Sequence, residues 1–164
     1  MCIYALSAHG KIARITFVGR KATKKNMFIK QISVFMENKP GQLKRITGLL
    51  KNEKIDVRAF SISDTVEFGI LRLIVNDSVR GAELLRGAGF TAQLNDVLVA
   101  VMKDKVGALD EIVTHLGNEN IDVIYMYSFI GEIAATGRVA LYTDDMEKAY
   151  GVLKENGIEI SETI

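Results

Sequence analysis

Residues 38–43 read Asn-Lys-Pro-Gly-Gln-Leu, and their types suit one kind of chemistry. Pro40 is the only proline in the chain, and an amphipathic run starts directly after Gly41. Proline fits a first helical turn, where its missing N–H would have had no partner. Glycine takes backbone angles that other residues resist. Those backbone needs alone account for a Pro-Gly pair between a strand and a helix. A helix that starts here also presents unpaired N–H groups, and such groups receive carboxylates. Asn38 places a polar side chain beside them.

The arrangement returns further along. Residues 39–57 (KPGQLKRITGLLKNEKIDV) and 105–123 (KVGALDEIVTHLGNENIDV) align without a gap. The identical pairs are Lys39/Lys105, Gly41/Gly107, Leu43/Leu109, Ile46/Ile112, Leu50/Leu116, Asn52/Asn118, Glu53/Glu119, Ile55/Ile121, Asp56/Asp122 and Val57/Val123. The chain is therefore two copies of one unit. The glycine recurs and the proline does not, since Val106 stands in its place. Glycine is thus the demanded residue, for positive φ or for close backbone approach. Asp104 stands where Asn38 did. N–H donors beside a side-chain acceptor suit a zwitterion, with both charges on adjacent carbons. The plain alternative for Asn38 and Asp104 is a polar residue at a helix start.

The elements that position these turns follow from periodicity. Residues 29–36 are a short β-rich run. Leu43, Ile46, Leu49 and Leu50 recur at helical spacing, which predicts a helix over 41–52. Strands are expected at 55–63 and 68–76, joined as a hairpin. Asp77 and Ser78 start a helix over 78–87, and 90–94 is a last strand. The second copy repeats the order at 97–102, 107–119, 121–130, 137–143, 145–156 and 158–161. Asn95-Asp96 is the only link, so the units pack side by side. The fold class is α+β: two ferredoxin-like β-α-β-β-α-β units in tandem, with antiparallel sheets and the helices on one face. The expected divisions are a leader 1–26, a first domain 27–95 and a second domain 96–164.

Charge and composition exclude several classes. Of 164 residues, 48% are hydrophobic and 25% charged, with a net charge of +1, which fits a globular protein without a strong polyanion signal. The leader is basic (Lys11, Arg14, Arg20, Lys21, Lys24, Lys25) and has no acid. It reads as a poorly ordered tail or as upstream sequence from an early start codon. An extra strand in KIARITFVG and a nucleic-acid-binding arm are the other readings. Cys2 alone leaves no disulfide and no multi-cysteine zinc site, which suits a cytoplasmic protein. Neither a membrane span nor a signal peptide is legible.

With these residues in place, the chain resembles tandem ACT domains. The resemblance rests on the β-α-β-β-α-β order, ENKPGQL, its partner DKVGALDEI, and Ile-Asp-Val opening each second strand. It covers about 27–161. ACT domains are regulatory modules that bind amino acids, usually at the interface of two paired copies. The resemblance implies a ligand site at Asn38, Pro40, Gly41, Gln42 and Leu43, with its equivalent at Asp104, Val106, Gly107, Ala108 and Leu109. The opposite copy's second strand would close it near Asp56–Val57 or Asp122–Val123. Ser61, Ser63, Tyr127 and Ser128 could fill the pocket from further along those strands, or simply face solvent or core. The second loop departs from the pattern by lacking proline.

Rival chemistries lack their residues. Base stacking on RNA needs aromatic central strands, which are scarce here. A metal carrier of this fold needs Cys-x-x-Cys, and an acylphosphatase-like enzyme needs an Arg-bearing phosphate loop. No Ser-His-Asp set or nucleotide loop is legible. His115 reads as a partly buried packing residue, Asp144-Asp145 as capping, and Met36, Met102 and Met126 as core. The expectation is a sensor that is not an enzyme, with no cofactor or metal. It would bind a free amino acid, form a homodimer, and regulate a partner enzyme of amino-acid metabolism or a transporter, without nucleic-acid or membrane contact. The alternative is a ligand-free regulatory subunit that modulates an enzyme in trans.

Overall fold

The computed structural model describes residues 4–6, 12–14, 27–64, 68–130 and 136–163. Two short strands, β1 (Tyr4–Leu6) and β2 (Ile12–Arg14), pair antiparallel. The rest of the leader, and with it the expected poorly ordered tail, lies outside the described residues. So do residues 65–67 and 131–135.

The first unit runs β3 (Ile29–Glu37), α1 (Gln42–Asn52), β4 (Val57–Asp64), β5 (Phe68–Val75), α2 (Ser78–Gly87) and β6 (Thr91–Lys103). The second continues with α3 (Ala108–Asn118), β7 (Val123–Ile130), β8 (Thr136–Thr143) and α4 (Met146–Glu155). Six strands form one sheet in the order β4-β5-β3-β6-β8-β7, and every pairing is antiparallel.

Two of the expected strand boundaries differ in the structure. Asn95-Asp96 is not a link. Both residues lie inside the 13-residue β6, where they pair with Gln31 and Lys30, and Lys30 Nζ sits 2.7 Å from Asp96 Oδ1. A polar pair does not break a strand when its main chain is held by a ladder on the neighbouring strand. The first half of β6 pairs with β3 and the second half with β8, so one strand serves both units. The expected last strand at 158–161 shrinks to one bridge, Ala100↔Ile160. Two backbone bonds flank it, Val101 N–H to Glu159 O and Ser161 N–H to Val99 O, each 2.8 Å.

Each helix buries a narrow stripe at helical spacing: Ile46 and Leu50 on α1, Ile112 and Leu116 on α3, Ala149 and Leu153 on α4. Asp77 caps α2 by accepting from Arg80 N–H at 3.1 Å, and Asp145 caps α4 by accepting from Lys148 N–H at 2.9 Å. Asp144 Oδ1 accepts from the N–H of Asp122 and of Asp145, so the capping role read for this pair holds.

Two helix-side cores result, one around Ile32, Val34, Leu71 and Leu73, the other around Leu98, Ala100, Val139 and Leu141. A third cluster lies on the opposite face of the sheet. It joins Ala59 and Ile74 of the first unit to Val97 and Val99 of β6 and Ala140 of the second unit, with Tyr125 and Tyr127 against it. Side chains alternate faces along a strand. The sheet is therefore folded over about β6 so that its helix-free faces meet, and the helices lie outside. Met36 and Met102 pack against the cores as expected. Met126 does not. It points outward from edge strand β7 and is 41% exposed.

Candidate functional site

Gly41 and Gly107 each stand at the N-cap of a helix, at φ 90° and 88°. A Cβ added at either would meet nothing within 4 Å. Positive φ is therefore one reason for the glycine, and no protein atom crowds the position. The turn aims the first N–H groups of α1 and α3 outward. Gln42 N–H is spent on Lys39 O at 3.3 Å, and Ala108 N–H on Lys105 O at 3.2 Å. Among the described residues no backbone carbonyl accepts from Leu43 or Lys44, nor from Leu109 or Asp110.

A cleft opens beside each turn, at matching positions. The cleft of the first unit is about 400 Å³ and is lined by Phe35, Glu37, Gln42, Arg45, Phe68 and Phe90 among others. The cleft of the second is about 240 Å³ and has Lys103, Lys105, Ala108, Glu111, Thr136 and Glu159 in its wall. Both lie between the end of the unit's first strand, the first turn of its first helix, and the glycine turn before its last strand.

The charges at equivalent places are reversed. Glu37 corresponds to Lys103, and Arg45 to Glu111. In the first cleft Arg45 Nη2 donates to Ala88 O at 2.6 Å and its guanidinium lies 4.8 Å from the centre of the Phe90 ring. Lys39 Nζ pairs with Glu37 at 2.7 Å. In the second, Lys105 Nζ pairs with Glu111 at 3.0 Å. The hydrogen bond from Lys105 and its charge hold the Glu111 carboxyl below the ordinary carboxylate range, and Lys103 and His115 add to the effect.

The expected site residues are not all brought together. Asn38, Pro40, Gly41 and Leu43 are exposed around the first turn, with Gln42 half-buried in the cleft wall. Asp104, Val106, Gly107 and Leu109 are likewise exposed, and Ala108 is buried. Phe35 pairs with Thr91 at one end of β6, and the second turn leaves its other end. The two turns are thus separated by roughly 40 Å measured along that strand. Asp122 spends its N–H on Asp144 Oδ1 and its carbonyl on Asp144 N–H, and Val123 packs into the second core. Both sit at the end of β7–β8 away from the second unit's own turn. Ser61 lies midway along edge strand β4, paired with Arg72. Ser128 is exposed, and His115 is half-buried as expected.

Phe35, Arg45, Phe68 and Phe90 escaped the sequence reading. The signal for Arg45 was its place three residues after Gln42, on the same helical face. The signal for Phe90 was the repeated glycine before it, Gly89 and Gly157. Among the described residues no cluster of three or more His, Cys, Asp or Glu could hold a metal ion, and no helix is long and apolar enough to cross a membrane.

A family profile described as an ACT domain pair matches residues 27–163. The chain belongs to the ACT domain pair family. A crystal structure of a protein from Bacteroides thetaiotaomicron is 33% identical, with 82% of this chain and 92% of that one covered and a TM-score of 0.77. The regulatory subunit of aspartate kinase from Thermus thermophilus, in its ligand-free form, is 11% identical over 81% of this chain and 95% of that one, at a TM-score of 0.60. The corresponding subunit from Thermus flavus is 13% identical over 77% and 90%, at 0.56. At those identities the two subunits support the fold alone. None of the curated proteins compared matches this chain.

Proposed function

We propose that this ACT domain pair is a cytoplasmic, non-catalytic regulator that binds a free amino acid at the turn opening α1 and transmits occupancy to a partner enzyme of amino-acid metabolism. The observation that carries the reading is the cleft repeated beside two left-handed glycine turns, each with helix N–H groups that no carbonyl uses. An amino-acid carboxylate would take the N–H groups of Leu43 and Lys44. Its ammonium would take the side-chain oxygen of Asn38. The aromatic wall of the first cleft suits an apolar side chain. Residues 27–95 and 96–164 are the two functional units, with their boundary inside β6.

The first unit is the better site. Its turn keeps Pro40, and its cleft is the larger. The second turn carries Val106, and the Lys105–Glu111 pair ties up the charges beside it. The reading also includes a homodimer. β4 and β7 are the outer strands of the sheet, and they expose Phe60, Ile62, Ile124 and Ile130. Sedimentation at micromolar concentration would return a dimer mass if this is so, and a monomer mass if it is not.

Calorimetric titration of the full chain with each amino acid tests the site. Binding of one amino acid or a related group is expected, lost in Gly41→Val and weakened about tenfold in Asn38→Ala. Binding that survives Gly41→Val places the ligand elsewhere. The loss of proline and the reversed charges in the second unit favour one other reading, a regulatory subunit that acts without ligand. In that case Asn38→Ala and Asp104→Ala change stability only.

A further inference from the structure

The cleft beside the turn opening α1 differs from its repeat in two side chains of its wall. Arg45 and Phe90 line the first cleft, and Glu111 and Ile158 stand at the equivalent places in the second. Arg45 closes the first turn of α1, its N–H donating to Gly41 O at 2.9 Å. Phe90 follows Gly89, whose φ of 89° turns the chain into β6. The helix start and the strand start thus bring a cation and a ring to one wall.

Arg45 is fixed by two contacts. Nη2 donates to Ala88 O at 2.6 Å, and the guanidinium carbon lies 4.8 Å from the centre of the Phe90 ring. Phe90 is 9% exposed and packs in the first core, so it is a rigid floor beneath the cation. Among the described residues no carboxylate pairs with Arg45. Glu37, the acid of the same wall, is taken by Lys39 Nζ at 2.7 Å. A guanidinium is flat, and aromatic rings stack on its faces. One face is turned to Phe90. The side chain is exposed and lines the cleft, so its other face is the one offered to an occupant.

Size and lining agree with a ring. At about 400 Å³ the first cleft falls within the range that holds small organic ligands, roughly 300–1,000 Å³, and the second, at about 240 Å³, falls below it. Phe35, Met36 and Phe68 also line the first cleft. An aliphatic side chain would meet this wall by apolar contact alone. An aromatic ring adds the attraction between its π electrons and the cation. An acidic side chain would also find Arg45, but it would share the wall with Glu37 and four apolar residues.

We propose that the first cleft selects an aromatic amino acid, whose ring stacks on the open face of the Arg45 guanidinium and leaves that cation between the ligand ring and Phe90. The inference rests on the amino-acid site proposed above and names the class of side chain it accepts. The wall of the second cleft has no guanidinium, so the selectivity belongs to the first unit.

The test is calorimetric titration of the full chain with L-phenylalanine and with L-cyclohexylalanine, which keeps the six-carbon ring and lacks its π electrons. Phenylalanine is expected to bind about tenfold more tightly. Arg45→Met keeps a side chain over Phe90 and removes the cation, so it should bring the two affinities together. The comparison on the unmodified chain decides the matter even where the variant does not fold. Equal or tighter binding of cyclohexylalanine overturns the proposal and leaves the amino-acid site standing. So does binding of L-glutamate with none of L-phenylalanine, in which case Arg45 pairs with a carboxylate. A preference for phenylalanine that survives Arg45→Met also overturns it. If no amino acid binds at all, the site itself fails and this proposal falls with it.

Discussion

Gly41 and Gly48 lie seven residues apart, and alanine at these positions should have opposite effects. Gly41 holds φ at 90° with open space where a Cβ would go, so Gly41→Ala costs backbone strain alone, about 1–2 kcal/mol. Gly48 sits inside α1 with equal space around it, so Gly48→Ala should stabilise by about 0.5–1 kcal/mol. Urea unfolding of both variants measures the pair, and equal signs would contradict the account of the turn. In the second unit Glu111 is held below its ordinary value of 4.5, first by the Lys105 hydrogen bond and then by its charge. A depressed carboxylate contributes stability above its unfolded value and loses it as pH falls through its folded value. Lys105→Met should therefore bring the Glu111 titration back up toward 4.5 by NMR and flatten the loss of stability below that pH. The group is solvent-exposed, so the effect on stability is small. An unchanged Glu111 titration would contradict the pairing. The turn glycines were legible in the sequence because a repeat shows which residue is kept. The cleft walls were not, because Phe35, Arg45, Phe68 and Phe90 converge from separate elements.

The helix starts can be tested one cap at a time. Asp77→Ala and Asp145→Ala each remove an acceptor for a first-turn N–H and should cost about 1 kcal/mol, read as a fall in thermal midpoint. A loss well under half of that in both would mean that solvent replaces the caps freely. Helices and strands were largely legible at this scale. The helix predicted over 78–87 is α2 (Ser78–Gly87), and the others end within one or two residues of the expected bounds. What misled was the pair Asn95-Asp96, which has loop-forming residue types and sits in a strand. Composition carries no information about a ladder made with Lys30 and Gln31, far away in sequence. The same limit hid the fate of 158–161, whose pairing depends on how much of β6 is free on that edge.

Across the whole molecule, β6 and the cluster between the helix-free faces join the two units into one body. Ile74 is fully buried between them, so Ile74→Ala should cost about 2–5 kcal/mol and lower a single unfolding transition. Two separate transitions would contradict the shared strand. The duplication and fold class were legible from ten identical pairs, but the folding over of the sheet was not. Strand periodicity says which residues share a face, and it does not say what that face meets. Gln31, Ser33 and Arg72 recur at alternate places in otherwise apolar strands, and that was the available sign of a second, partly polar face. Ser63 and Tyr127, read as possible pocket residues, belong to that face. The proposed function of the whole molecule is to sense a free amino acid. Thermal unfolding of the full chain against each amino acid at millimolar concentration tests it most directly. A ligand at a hundred times its dissociation constant adds about 2.7 kcal/mol, on the order of several degrees for a chain of this size. One amino acid, or one related group, is expected to raise the midpoint by that much, and Gly41→Val to remove the rise. A flat response across the whole set would contradict it.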